Sequence, residues 1–192
     1  MQALAEGMIL YHGSYMSVQE PDLDKCTRFK DFGQGFYLTT SLSQARSFAK
    51  LSLGKAKDRR VASATTWTAW VSAFKVGDIS SLNTFVFQEA NKEWLHCIVA
   101  HRRERFFENV RLQMKDYDVI GGKVANDDTN VTILAYVEGI YGPMGDEIAD
   151  NFCISRLIPE RLKDQFCFRT QKAVACLKYL KSEQVKCGVV DE

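Results

Sequence analysis

The stretch DFGQGFYLTT at residues 31–40 restricts the fold more than any other part of the sequence, because it leads from a strand directly into a helix. Aromatic and apolar residues at positions 36–38 favour a β-strand. Ser41 and Gln44 then form a capping box, which marks a helix N-terminus. Apolar residues recur at helical spacing after it, and Gly54 is predicted to end this helix. The sequence therefore predicts a strand and a helix joined without a long loop.

Two glycines precede this strand, and they have two interpretations. Gly33 and Gly35 can form a turn or bulge, with the neighbouring aromatic side chains filling a core. Alternatively, they allow the backbone to approach a flat ligand, with the ring of Tyr37 packed against it. Patterns elsewhere in the sequence are needed to choose between these two interpretations.

Strand-like and helical patterns alternate along the whole chain. Further strands are predicted at residues 8–14, 66–76, 82–87, 117–124 and 165–169, and further helices after Asn91 and at residues 129–140, 146–156 and 170–180. The segment 129–140 also has the β-branched content of a strand. No Gly-x-Gly-x-x-Gly pattern opens a helix, so we expect an α+β fold rather than a doubly wound one. The length of 192 residues suits a single domain spanning residues 1–192.

Charge and cysteine usage limit the partners and the compartment. The net charge is +1, so no overall field attracts the protein to nucleic acid or to a membrane surface. The N-terminus is too short and polar for a signal peptide, and no apolar run has membrane-spanning length. Six scattered cysteines without a Cys-x-x-Cys pair indicate reduced, buried thiols rather than a zinc site. We expect a cytoplasmic protein without a metal.

Several segments together resemble a known superfamily. They are LYHGS at residues 10–14, DFGQGFYLTT at 31–40 with Gln44 and Ala45 after it, Asn91 and Trp94, YDVIG at 117–121 and ANDDT at 125–129. In this order they resemble the ADP-ribosyltransferase superfamily, specifically a bacterial branch described as a domain of unknown function. The resemblance extends from residue 9 to about residue 181. It implies split mixed β-sheets with flanking helices and a central cleft for NAD.

The resemblance also implies which residues bind NAD as co-substrate. It implies that His12 bonds to the adenosine ribose, that the backbone of Gly13 meets the nicotinamide amide, and that Tyr37 stacks on nicotinamide. The implied cofactor-binding set is His12, Gly13, Ser14, Gly35, Tyr37 and Thr39. Taken alone, His12 would be a structural histidine and Tyr37 a core residue.

The catalytic position departs from the superfamily pattern. Cleavage of the nicotinamide–ribose bond builds positive charge on the ribose, and the superfamily usually opposes it with a glutamate on a late strand. Gln165 stands at that position and carries no charge, although it can hold the 2′-hydroxyl. Asp127 and Asp128 are candidates for the missing carboxylate, with capping of a helix as the alternative role.

Three other patterns have weaker functional interpretations. Cys97 and His101 lie four residues apart on a predicted helix, as a thiol–imidazole dyad or two metal ligands would. The basic residues at 55–60 and 102–105 suit a rim for nucleic acid or a solvated surface. Arg169 could meet a pyrophosphate.

The resemblance therefore predicts an NAD-dependent ADP-ribosyltransferase that acts as a toxin on a protein or nucleic-acid acceptor, with a small antitoxin protein as partner. Two alternatives remain open. One is a non-catalytic module that binds NAD or ADP-ribose, which the uncharged Gln165 favours. The other is an NAD glycohydrolase, which uses water as the acceptor.

Overall fold

The computed structural model describes residues 1–125, 127–158 and 161–187, and for residues 127 and 128 it describes the backbone alone. The strands are β1 (Ile9–Ser14), β2 (Phe36–Thr39), β3 (Thr68–Val76), β4 (Thr84–Val86), β5 (Val119–Lys123), β6 (Asp164–Phe168) and β7 (Leu177–Lys186). The helices are α1 (Leu42–Asp58), α2 (Lys92–Arg102), α3 (Glu108–Gln113), α4 (Asp127–Val137), α5 (Glu147–Leu157) and α6 (Gln171–Ala175).

Within these residues the strands form one seven-stranded mixed sheet. Its order is β4-β5-β6-β2-β1-β3-β7. Only β4 and β5 run parallel, and the other neighbouring strands are antiparallel. A mixed sheet flanked by helices confirms the predicted α+β class.

The sheet is joined most weakly at its centre, between β1 and β2. These two strands share a single registered pair, Tyr11 with Thr39. By contrast, β1 pairs with β3 from Ile9 to Ser14, and β2 pairs with β6 along its whole length. We call the place where β1 and β2 meet the central junction. Beyond its one pair, the two halves of the sheet lack a continuous ladder of backbone hydrogen bonds.

Helices cover both faces of the sheet, because strand side chains alternate between the faces. Phe36 and Leu38 of β2 pack in a buried cluster with residues of α6, on what we call the α6 face. The partly buried Tyr37 packs against the cluster on the opposite face, which contains residues of α2, α4 and α5. We call this side the α2 face. Helix α1 packs against β1 and β3 on the same side, through Ala45 and its small neighbours.

Most of the predicted elements are confirmed. All six predicted strands are present as β1 to β6, with boundaries shifted by a few residues. The Asn91 side chain caps α2 by accepting a hydrogen bond of 3.0 Å from the N–H of Trp94. Ser41 caps α1 in the same way, at 3.3 Å from the N–H of Gln44. The ambiguous segment 129–140 is helical in α4. No helix among the described residues is long and apolar enough to cross a membrane.

The predicted end of the first helix at Gly54 is wrong. Helix α1 continues through Gly54 to Asp58, so most of the charged stretch 55–60 is helical rather than a loop. The buried positions Leu53 and Ala56 lie on both sides of the glycine and keep the helix packed against the sheet. A glycine inside a helix costs only about 1 kcal/mol relative to alanine, which this packing outweighs.

The predicted final helix is also wrong in its second half. Helix α6 ends at Ala175, and the chain turns into the edge strand β7 from Leu177. Strand β7 pairs with β3 along its whole length, so backbone hydrogen bonds override the helical spacing of its apolar residues. The short helix α3 was not predicted.

Candidate functional site

The imidazole of His12 lies at the central junction with one nitrogen committed to the protein. Its Nδ1 is 2.8 Å from the carbonyl oxygen of Tyr37. A carbonyl oxygen only accepts, so Nδ1 carries the proton and Nε2 is left as an acceptor. No group within the described ranges hydrogen-bonds to Nε2. Burial lowers the pKa of His12, and the hydrogen bond to Tyr37 opposes this only in part. His12 therefore offers a neutral, open acceptor.

The hydroxyl of Tyr37 is committed to the protein's own loop. It accepts a hydrogen bond of 2.9 Å from the N–H of Phe32 and donates one of 2.8 Å to the carbonyl oxygen of Gly33. Burial raises the pKa of Tyr37 well above its ordinary value, so the phenol keeps its proton. Tyr37 thus fixes the turn that precedes β2.

The register places the side chains of His12 and Tyr37 on opposite faces of the sheet. Tyr11 pairs with Thr39, so both of these residues and Tyr37 point to the α2 face. The ring of His12 instead contacts the ring of Phe36, with centroids 4.4 Å apart, on the α6 face. The two predicted site residues are therefore joined through the Tyr37 backbone rather than through their rings.

The glycines are explained by close contacts within the protein. A Cβ on Gly13 would lie 2.0 Å from the carbonyl oxygen of Ala45, so Gly13 allows α1 to pack against β1. A Cβ on Gly35 would lie 2.5 Å from the Sγ of Cys167 on β6. Gly33 has a φ of 82°, in the region that favours glycine. The turn-and-packing interpretation accounts for all three without a ligand.

A buried carboxylate that the sequence analysis did not single out lies beside Gln165. Asp31 is 6% exposed, and its Oδ2 accepts hydrogen bonds from Nε2 of Gln165 at 2.7 Å and from the N–H of Ala125 at 3.0 Å. Its Oδ1 accepts from Nε and Nη2 of Arg102, at 2.9 and 2.6 Å. We call Asp31, Arg102 and Gln165 the Asp31 cluster. Each of the two carboxylate oxygens of Asp31 therefore accepts two hydrogen bonds.

The Asp31 cluster fixes the orientation of the Gln165 amide. A carboxylate only accepts, so the nitrogen of the amide must face Asp31 and the oxygen must face away. No donor in the described part of the chain bonds to Oε1 of Gln165. The side chain therefore presents one uncharged acceptor. The nearby negative charge belongs to Asp31 and is paired with Arg102.

Two of the arginines predicted for polyanion binding, Arg102 and Arg169, have internal partners instead. Arg102 also donates to the carbonyl oxygen of Ala125 at 2.5 Å, so it belongs to the Asp31 cluster rather than to a basic rim. The guanidinium of Arg169 donates to the backbone carbonyls of Met114 and Tyr117. Neither guanidinium is left free for a phosphate.

Among the remaining predicted site residues, Thr39 has internal hydrogen bonds, Ser14 is buried, and two aspartates have undescribed side chains. The hydroxyl of Thr39 donates to the carbonyl oxygen of Asp164 at 2.8 Å and accepts from the N–H of Ser41 at 3.1 Å, which anchors the start of α1. Ser14 is buried at the end of β1. The side chains of Asp127 and Asp128 lie outside the described residues, and the backbone of both residues forms the first turn of α4.

Cys97 and His101 do not form a nucleophilic dyad. Nδ1 of His101 donates to the carbonyl oxygen of Cys97 at 2.8 Å, so it is not a base for the thiol. Burial raises the pKa of Cys97 to about 12, which keeps the thiol neutral. Among the described residues, no group of three or more histidine, cysteine or acidic side chains could hold a metal ion.

Sequence comparison adds a family but no activity. Residues 8–179 match the family described as "Protein of unknown function (DUF3990)". No curated protein matches the chain.

Proposed function

Because the chain belongs to the DUF3990 family, whose description names no activity, its function has to be inferred from its own residues, and we propose that it is an NAD-dependent ADP-ribosyltransferase. The observation that carries the proposal is the open Nε2 of His12 at the central junction. The resemblance of residues 10–14 and 31–40 to ADP-ribosyltransferase motifs supports it. A buried but solvent-reachable imidazole acceptor is suited to the hydroxyl group of a ribose.

In this proposal NAD binds at the central junction, where the strands share only the Tyr11–Thr39 pair. His12 accepts a hydrogen bond from the adenosine ribose, and Gln165 accepts one from the 2′-hydroxyl of the nicotinamide ribose. Because these side chains point to opposite faces, the ligand has to reach both of them at the junction of β1 and β2, where the strands register at one pair.

The chemistry proposed is substitution at the anomeric carbon of the nicotinamide ribose. The bond from this carbon to the nicotinamide nitrogen breaks, and its electron pair leaves with nicotinamide. A nucleophile of the acceptor forms the new bond and loses its proton to solvent or to a base. Gln165 orients the ribose but supplies no negative charge, so turnover is expected to be slower than with a carboxylate.

A second function, a module that binds NAD or ADP-ribose without cleaving it, is favoured by the Asp31 cluster. The carboxylate of Asp31 is paired with Arg102 and is not available to oppose a developing positive charge. The chain would then keep the ligand contacts of His12 and lack the chemistry. A toxin role, a protein or nucleic-acid acceptor and a small antitoxin partner rest on the resemblance alone and are part of the first proposal.

A single-turnover assay with NAD labelled in its adenosine half tests the proposal. Label on a macromolecule indicates a transferase, and free ADP-ribose with released nicotinamide indicates an NAD glycohydrolase. Bound, intact NAD indicates the binding module. The matched control is His12→Asn, which keeps a donor for the Tyr37 carbonyl and removes the open acceptor. If wild-type protein does not bind NAD, both functions are wrong.

A further inference from the structure

A cavity of about 520 Å³ lies on the α2 face, between β4, α2 and α3. Its volume is in the range of small-molecule sites. Three aromatic rings form one wall. The ring centroids of Phe85 and Phe87 are 4.8 Å apart, and those of Phe85 and Tyr117 are 5.1 Å apart. No residue of the central junction or of the Asp31 cluster lines this cavity.

The polar lining contains an imidazole that is held in a fixed orientation. Nε2 of His96 is 2.7 Å from Oδ2 of Asp150, whose side chain is 2% exposed. The other oxygen of Asp150 accepts a hydrogen bond from the hydroxyl of Tyr136. On its opposite side the imidazole stacks on the ring of Phe107, with centroids 4.0 Å apart and planes 14° apart. The ring therefore has little freedom to turn.

Two unfavourable features converge on this imidazole. Phe107 has φ 49° and ψ 44°, a left-handed backbone that bulky residues rarely adopt. Asp150 is a carboxylate buried in the protein interior, where an unpaired charge is costly. Strained residues and buried charges of this kind often mark functional sites. Here both of them serve to orient His96.

The polar lining of the cavity contains one carboxylate, that of Glu93, beside groups that can both donate and accept, the amide of Gln113 and the hydroxyl of Tyr117. Nε2 of His96 is engaged by Asp150, and no group in the described ranges bonds to its Nδ1. The carboxylate of Glu93 supplies two adjacent acceptor oxygens. No lysine or arginine side chain of the described residues lines the cavity, which disfavours a phosphate. A flat ring that carries N–H donors is complementary to this lining.

We propose that this cavity binds the guanine ring of a nucleoside, stacked against Phe85 and Tyr117, with its two adjacent N–H donors directed to the two carboxylate oxygens of Glu93. Guanine carries adjacent donors, the ring N1–H and the 2-amino group, on one edge. Adenine offers only its 6-amino group to such a pair of acceptors. The proposal goes beyond the proposed NAD function and does not depend on it.

Calorimetric titration of the full chain with guanosine, inosine and adenosine tests the proposal. Guanosine is expected to bind, and inosine, which lacks the 2-amino group, to bind about tenfold more weakly because one hydrogen bond to a charged acceptor is lost. Glu93→Gln is expected to weaken guanosine binding by about tenfold or more. Its matched control is Glu89→Gln, an exposed residue nearby that does not line the cavity.

The titrations are run with and without NAD and with His12→Asn, so that binding at the central junction is recognised. The proposal is overturned if guanosine does not bind at millimolar concentration, or if Glu93→Gln and Glu89→Gln bind it equally well. It is also overturned if NAD or His12→Asn abolishes guanosine binding, because the nucleoside then occupies the junction. Loss of NAD binding with guanosine binding intact would reject the proposed function and leave this one standing.

Discussion

The two polar groups next to β2 differ in how completely their hydrogen-bonding atoms are used. In the Asp31 cluster, both oxygens of the carboxylate have donors and Asp31 is 6% exposed, so the hydrogen bonds around this carboxylate form a closed network, although Oε1 of Gln165 stays open. At the central junction, His12 uses Nδ1 for the Tyr37 carbonyl and leaves Nε2 open. A closed network stabilises the fold and orients its members, whereas an open acceptor is suited to a ligand. The comparison predicts different results when each group is changed.

The largest expected effect is on stability, when the closed network loses its carboxylate. Asp31→Ala leaves the guanidinium of Arg102 buried without its counter-charge and leaves the N–H of Ala125 without an acceptor. Breaking a buried ion pair in this way costs about 3–5 kcal/mol of the free energy of unfolding. Urea denaturation followed by circular dichroism measures the loss.

The matched control for this change is Asp22→Ala. The Asp22 carboxylate pairs with the exposed Lys25 and accepts a hydrogen bond from the N–H of Asp24, so a smaller loss of stability than for Asp31→Ala is expected. Equal stability of Asp31→Ala and wild-type protein would show that the Asp31 cluster is not a closed network.

A second change adds a charge to the closed network. Gln165→Glu places a carboxyl group where the amide now lies 2.7 Å from Oδ2 of Asp31. Two carboxylates so close together raise the pKa of one of them, and a rise of about two units corresponds to about 2.7 kcal/mol. In the window between the unfolded pKa of about 4.3 and the raised value, the folded state binds more protons, so stability falls as the pH rises.

Denaturation of Gln165→Glu and wild-type protein at pH 5 and pH 8 checks this prediction. The difference in stability between the two proteins should be larger at pH 8. Gln171→Glu, at an exposed position in the first turn of α6, provides the control and should show no such dependence. If the chain has the proposed transferase activity, nicotinamide release by Gln165→Glu should increase only at pH values where the introduced carboxyl is ionised. A pH-independent difference in stability would mean that the Gln165 amide does not face Asp31.

Local sequence signals predicted the elements of the fold well and the Asp31 cluster not at all. The caps at Ser41 and Asn91 depend on residues three positions away, and both are confirmed. By contrast, Asp31 is 71 positions from Arg102 and 134 from Gln165, so no local pattern joins them. The one available signal was an aspartate directly before the glycine-flanked turn.

The wrong predictions also result from contacts between residues that are far apart in the sequence. Helix α6 and strand β7 were predicted as one helix, because the apolar spacing after Thr170 suits a helix and the pairing with β3 is not visible locally. The sequence also does not show which face of the sheet each site residue occupies. Side chains along a strand alternate between the two faces of the sheet. The register of Tyr11 with Thr39 is therefore needed to show that His12 and Tyr37 point to opposite faces.

Substitution of His12, whose Nε2 is open, should affect ligand binding more than stability. His12→Asn keeps an N–H donor for the Tyr37 carbonyl and removes the acceptor at Nε2. The resulting loss of one hydrogen bond is expected to weaken NAD binding by about 1–2 kcal/mol, or about 5- to 30-fold in Kd. His12→Gln keeps an acceptor at that reach and should lose less affinity. Calorimetry at pH 7.5 measures both values.

The pH dependence of NAD binding tests the same nitrogen. Because burial lowers the pKa of His12 below its ordinary value of 6.5, more than half of the imidazole is neutral at pH 6.5, and Kd should change less than twofold between pH 8 and 6.5. As the pH falls through the lowered pKa, Nε2 gains a proton and stops accepting, so NAD binding weakens. A Kd that rises more than twofold between pH 8 and 6.5, or equal losses in His12→Asn and His12→Gln, would contradict an open neutral acceptor.

The smallest effects on stability and on NAD affinity are expected when only the hydroxyl of Tyr37 is removed. The carbonyl oxygen of Tyr37 holds the open His12, and its hydroxyl closes the turn at Phe32 and Gly33. Tyr37→Phe removes only the hydroxyl, so it should cost about 1 kcal/mol of stability and change the Kd for NAD less than twofold. Tyr37→Ala also removes the ring, and if the ring stacks on nicotinamide, the Kd should rise several-fold to about tenfold. Equal NAD affinity in both variants would mean that Tyr37 contributes to the fold alone and that His12 binds the ligand from the α6 face without it.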